Sequence, residues 1–261
     1  MKNFVLWTLA VIVTLASAVY QRMTGPTYPV RGKVTLAGSE IKYRLPRSAE
    51  SGRDCEVSIK ASDPSVGGSL LFKRHKVDEA WTQAPLERKD GALTASLPKH
   101  PPAAKVVYKV ILNRDQQEVS LTGDKPIVLR FRGVVPSWIL IPHIVVMFLA
   151  MLFSTRAGIE ALRRSGDPRR LVLWTVALLL IGGFVFGPAV QKLSFGTLWT
   201  GIPVGHDLTD SKTLLALAVW VAAAVAGRRG KQARGWVLAA AIVLFAVFLI
   251  PHSVLGSELK Y

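Results

Sequence analysis

The chain has 261 residues, half of them apolar, with a formal net charge of +16 and a mean hydropathy of +0.33. Its charge is not gathered into a basic stripe interleaved with aromatics, so the reading is one of solvated and lipid-facing cations, with no nucleic-acid partner. A single cysteine, Cys55, excludes an intramolecular disulfide.

The first apolar run, Phe4–Tyr20, follows Lys2 and reads in two ways. Phe4–Leu15 followed by Ala16-Ser17-Ala18 has the form of a secretory leader with a small-residue cleavage site. Continuation through Val19 and Tyr20 makes the segment long enough to span as a retained anchor. The second reading gives five membrane helices and the first gives four.

From Tyr28 the apolar period changes to two. Val30, Gly32, Val34 and Leu36 alternate with polar neighbours, Ala37-Gly38 offers a turn, and Ile41, Tyr43 and Leu45 resume the alternation. Further short runs follow at Glu56–Ala61, Ser69–Lys73, Leu86–Arg88, Ala92–Leu97, Lys105–Leu112, Glu118–Thr122 and Ile127–Arg132, separated by Pro and Gly clusters. Strands at this spacing, with no helical period, predict a two-sheet sandwich held by its apolar core alone.

Trp81, then Gly91-Ala92-Leu93-Thr94-Ala95-Ser96-Leu97-Pro98, then Lys105-Val106-Val107-Tyr108-Lys109-Val110 resembles the later strands of immunoglobulin-like or fibronectin type III-like modules. The resemblance covers Tyr28–Gly133. It implies that the aromatic strand of Trp81 packs with the strand ending in Pro98 and the Val-x-Tyr strand. It also implies a module that binds other proteins or acts as a spacer. The resemblance does not extend to the membrane half.

Four more apolar runs follow: Ser137–Ser154, Leu171–Val190, Thr213–Ala226 and Trp236–Pro251. Each meets or approaches the length needed to cross a bilayer, and the third of them is the shortest and is expected to borrow flanking residues. Trp7, Trp138, Trp174 and Trp236 stand near the ends of runs, as interfacial anchors do. Two short loops are rich in arginine: Thr155–Arg170 with Arg156, Arg163, Arg164, Arg169 and Arg170, and Gly227–Gly235 with Arg228, Arg229, Lys231 and Arg234. Such loops stay cytoplasmic, which puts residues 21–136, the loop 191–212 and the tail from His252 outside.

The expected fold is therefore a mixed membrane protein. An extracytoplasmic all-β sandwich (21–136) is inserted between the first helix (1–20) and a four-helix domain (137–261), completing a five-helix transmembrane bundle. Gly182-Gly183 and Gly187-Pro188 in the third helix predict close helix approach and a kink.

No nucleophile elbow, phosphate loop, metalloprotease helix, Cys-x-x-Cys pair or dinucleotide fingerprint is present. No Asp or Glu falls inside an apolar run, which argues against proton-coupled transport. Three histidines, His143, His206 and His252, are placed at the outer side by the topology, and imidazole is the commonest metal ligand. They form the candidate metal site, with Asp207, Asp210 and Glu258 as oxygen donors or ring orienters; interfacial packing is the plainer alternative. His75 and His100 read as solvated loop residues. The stretch Phe195–Lys212 is too apolar for a solvated linker, and its Gly and Pro spacing implies a fixed path. Within it Trp199, Asp207, Asp210 and Lys212 form a polar outer-face loop together with Glu258. The acids either cap the following helix or build a polar pocket with Lys212.

These features lead to an accessory or assembly subunit of a bacterial-type inner membrane, whose partners are the lipid bilayer and a protein docked on the sandwich. Two alternatives stand beside it: a redox protein binding a metal or haem through the outer histidines, and a small-solute transporter. No cofactor is specified by the residues.

Overall fold

Helices occupy the two ends of the chain and strands its middle. The structure is a computed structural model that describes residues 2–163, 165–227 and 233–251. Helix α1 (Lys2–Thr24) precedes eleven strands, and the remaining helices follow them. The described residues divide into two compact units, one of residues 2–26 with those between 135 and 251, the other of residues 27–134.

In the sheet-rich unit, β1 (Val30–Leu36) and β2 (Ser39–Leu45) pair as a hairpin. A larger sheet has the order β3 (Ser48–Glu50), β11 (Ile127–Arg132), β9 (Lys105–Arg114), β5 (Gly67–Arg74), β6 (Thr82–Pro85), with β10 (Gln117–Ser120) added to the end of β9. A smaller one has the order β4 (Cys55–Lys60), β8 (Ala92–Leu97), β7 (Glu87–Lys89). All pairings are antiparallel except β3 with β11. The β7–β8 turn is closed by Asp90-Gly91, both at positive φ, the backbone that a two-residue hairpin loop demands and glycine adopts without strain.

Every alternating run in the sequence is a strand. Two more, β3 and β6, are short and carry no alternation of their own. Val57 and Ile59 from β4, Leu70 from β5, Leu93 and Leu97 from β8, Val106, Tyr108, Val110 and Leu112 from β9, and Leu129 and Phe131 from β11 share one core. The two sheets therefore bury their inner faces against each other. The Tyr108 hydroxyl donates to the Pro46 carbonyl at 2.7 Å inside it, and burial pushes its phenol far above the ordinary range.

In the helical unit, α2 covers Ser137–Leu162. Next comes a continuous rod of α3 (Arg169–Leu179), a π-helical stretch (Leu180–Phe186) and α4 (Gly187–Phe195). Helices α5 (Leu208–Ala226) and α6 (Ala233–Leu249) complete it. Four of these five rods are long and apolar enough to cross a membrane, and α6 is the shorter apolar one. The run Thr213–Ala226 borrows flanking residues as expected: α5 takes in the five residues before Thr213, starting from an N-cap at Asp207.

Helices α2, α3, α5 and α6 make a closed ring of neighbours, with α1 lying against α2 and α6. Small residues set the close approaches. A Cβ at Gly158 would stand 2.8 Å from that of Ala241 on α6, and one at Gly183 would stand 2.7 Å from Thr213 Cγ2 on α5. The π-helical stretch ends just before Pro188, whose missing N–H and bulky ring unsettle the preceding turn.

One expectation is corrected here. The basic stretch from Thr155 is not a loop, because α2 continues to Leu162 and carries Arg156 and Glu160 as buried residues. Glu160 therefore lies in a helix long and apolar enough to cross a membrane, beyond the apolar run Ser137–Ser154. Of the loop cations, Arg164, Arg228, Arg229 and Lys231 lie outside the described residues.

Candidate functional site

The outward face of the larger sheet gathers groups that the sandwich core does not use. Side chains alternate across a strand, so while Leu70, Phe72, Tyr108, Val110 and Leu129 turn to the core, Leu71, Lys73, Val107, Lys109 and Val128 turn away from it. The register aligns Leu71 with Lys109, Lys73 with Val107, and Val107 with Val128. Lys73 and Lys109 are thus diagonal neighbours on adjacent strands, a spacing at which long side chains interact.

Across this face lies Trp81. Thr82 is registered with the inward Phe72, so the residue before it falls on the outward side. Its indole is 37% exposed, with Lys73 Nζ 5.3 Å and Lys109 Nζ 5.8 Å from the ring centroid. The packed position implied by the module resemblance is therefore overturned: Trp81 is absent from the core. Phe72 and Tyr108 fill the interior it was expected to occupy.

Among the described residues, neither lysine forms an ion pair with a carboxylate. Glu79, whose carboxyl also feels the Lys73 charge, is taken by Arg74, which donates through its backbone N–H and through Nε at 2.8 Å. That pairing holds the Glu79 carboxyl below the usual range. Lys73 Nζ contacts only the Glu79 carbonyl, at 3.4 Å.

A second cluster lies in the helical unit, on the loop between α4 and α5. One Asp210 oxygen accepts from the Thr200 N–H at 2.7 Å, the Gly201 N–H at 3.1 Å and the Thr200 hydroxyl at 3.3 Å, while Gln191 Nε2 donates to that hydroxyl at 2.7 Å. Asp207 caps α5 by accepting from the Thr209 N–H at 2.7 Å. Trp199 stacks on Phe184 with 5.5 Å between centroids and donates to the Ile202 carbonyl at 3.2 Å. The loop has the fixed path that its Gly and Pro content implied.

Only half of the acid reading holds. Asp207 caps the helix, whereas Asp210 fastens the loop. Buried Lys212 donates to the Ile250 carbonyl past the end of α6, and the Asp207 charge acts on it.

Of the candidate metal ligands, His143 places Nδ1 3.0 Å from the Gly182 carbonyl of the π-helical stretch. A carbonyl only accepts, so Nδ1 carries a proton in this bond. His206 is exposed on the loop. His252 and Glu258 lie outside the described residues. Among the described residues no three His, Cys, Asp or Glu side chains gather as a metal site would require. His75 and His100 are half-buried, and His100 packs on Phe131 at 5.2 Å, so neither is the fully solvated residue expected.

The Arg156 cluster was missed in the sequence. Arg156 meets Glu160, donates to Asn3 Oδ1 at 2.9 Å and lies 5.6 Å over the Trp7 ring, while Arg163 also reaches Glu160 at 2.8 Å. The i,i+4 spacing of Arg156 and Glu160 is the signal that could have extended the helix.

No family model, curated protein or solved structure matches the chain.

Proposed function

We propose that this chain is an integral membrane accessory or assembly subunit whose sheet-rich unit lies outside the cytoplasm and docks a protein partner. The observation that carries this reading is Trp81, a large aromatic held exposed on a sheet face with its own core already filled. Tryptophan at a partly desolvated surface is the residue type most enriched where binding energy concentrates.

Strand order supports the module type. The order β4-β8-β7 opposite β11-β9-β5-β6 corresponds to strands B-E-D opposite G-F-C-C′ of an immunoglobulin-like domain. The arginine-rich connections between apolar helices support the orientation, and an inner bacterial membrane is the setting it implies.

A photo-crosslinking residue placed at Gln83, exposed beside Trp81, tests the reading in intact cells. One discrete adduct from Gln83, and none from Glu56 on the opposite sheet, is expected. No adduct at Gln83 overturns it.

A second reading, a metal or haem protein, is favoured by one detail. A ring fixed through Nδ1–H to a backbone carbonyl, as His143 is, has the orientation that metal-ligating histidines take. Metal content and a visible spectrum of the purified protein test it, and a colourless, metal-free preparation retires it.

A further inference from the structure

The docking face carries a mark of what would occupy it. Lys73 and Lys109 are diagonal neighbours on adjacent strands, both within 6 Å of one indole, and among the described residues neither has a carboxylate within ion-pair distance. Two ammonium groups in this position repel each other, and the ring's electron-rich face relieves that only in part. The sheet-rich stretch 27–134 as a whole holds nineteen lysines and arginines against twelve acids. An anionic group above the pair would meet both cations at once, and an apolar neighbour beside it would cover the indole, Leu71 and Val128.

Addition of a strand to the sheet edge is the other way in, and the edge discourages it. Strand β6 has four residues and ends on Pro85, which has no N–H to give. A partner is therefore read by side chains on the face and not by backbone pairing at the rim.

We propose that Trp81, Lys73 and Lys109 receive an acidic segment of the partner protein, with a carboxylate between the two ammonium groups and an aliphatic or aromatic side chain on the indole. This rests on the docking reading above and gives it a chemistry. Geometry sets the order of roles. Trp81 supplies contact area at little entropic cost, and the lysines supply sign selectivity and a dependence on salt.

The test uses the full-length protein in nanodiscs of zwitterionic lipid and three labelled peptides of equal length: Glu/Leu, Glu/Gly and Lys/Leu. Fluorescence anisotropy should show the Glu/Leu peptide binding best and the Lys/Leu peptide not at all. Trp81→Ala should weaken the Glu/Leu peptide by about tenfold or more. Trp81→Phe should restore part of the loss, which guards against misfolding of the alanine variant. The Lys73→Ala, Lys109→Ala double variant should lose both affinity and salt dependence, while Lys60→Ala on the opposite sheet should change neither. Equal binding by the Trp81 or double-lysine variants overturns the proposal. So does Trp81-dependent binding of phosphatidylglycerol vesicles without peptide binding, which would assign the face to lipid headgroups. A discrete crosslink at Gln83 with no preference for acidic peptides leaves the docking reading standing and removes the acidic partner; loss of both removes both.

Discussion

The Arg156 guanidinium and the Glu160 carboxylate, one helical turn apart on α2, meet at 2.5 Å with both side chains more than nine-tenths buried. A charge pair inside a helix that is long and apolar enough to span is costly to hold; Asn3 and Arg163 add hydrogen bonds to it, while Arg156 Nε has no partner among the described residues.

Breaking the pair from one side should therefore hurt more than removing it. Glu160→Gln leaves Arg156 buried without a counter-charge, and a loss of about 3–5 kcal/mol is expected. The Arg156→Met, Glu160→Leu double variant should recover most of that. Thermal unfolding in mild detergent measures both, and a double variant less stable than Glu160→Gln would refute the account.

The two acids before and within α5 should separate in their effects. Asp207→Ala removes a helix cap, at about 1 kcal/mol. Asp210→Ala orphans the Thr200 and Gly201 N–H groups, each at about 1–3 kcal/mol, and frees the loop. Limited proteolysis should cut between residues 196 and 207 in the Asp210 variant and spare the Asp207 variant. Equal sensitivity of the two would contradict the bonding seen at Thr200.

Tyr108→Phe should cost about 0.5–1.5 kcal/mol by removing the donor to the half-buried Pro46 carbonyl. Its phenol titrates higher folded than unfolded, where the value is about 10. The unfolded chain thus loses this proton first, and the stability tied to it is fully present below pH of about 10 and is lost as pH rises above that value. Chemical denaturation across alkaline pH should show a steeper decline for the wild type than for Tyr108→Phe. Parallel declines would place the effect elsewhere.

Orientation is tested by reporter fusions. Those after Gly166 should report a cytoplasmic position and those after Gly123 and Gly205 an external one, because the arginine-rich connections alternate with the others. An external signal at Gly166 would invert the arrangement.

The strands whose alternation spans five or more residues were readable without a structure, and so were the turn at Asp90-Gly91 and the cap at Asp207. These features are local: period, turn chemistry and capping act within a few residues of chain. Strands β3 and β6 were not readable. Ser48–Glu50 and Thr82–Pro85 have no period, and they are strands because β11 and β5 offer them an open edge.

The same division runs through the candidate site. The strand Lys105–Leu112 was readable, yet nothing in the order of residues said that Trp81 would lie across its outward face. That followed from Thr82 being registered with Phe72, a pairing between segments ten residues apart. Arg156 looked like a loop cation, and it became a buried one because Asn3 and Trp7 approach it from α1 while Ala241 of α6 packs on the neighbouring Gly158. Local pattern establishes which element forms and which sides it has. Burial of a given side is decided by partners distant in the chain, whose arrival depends on the packing of the whole unit.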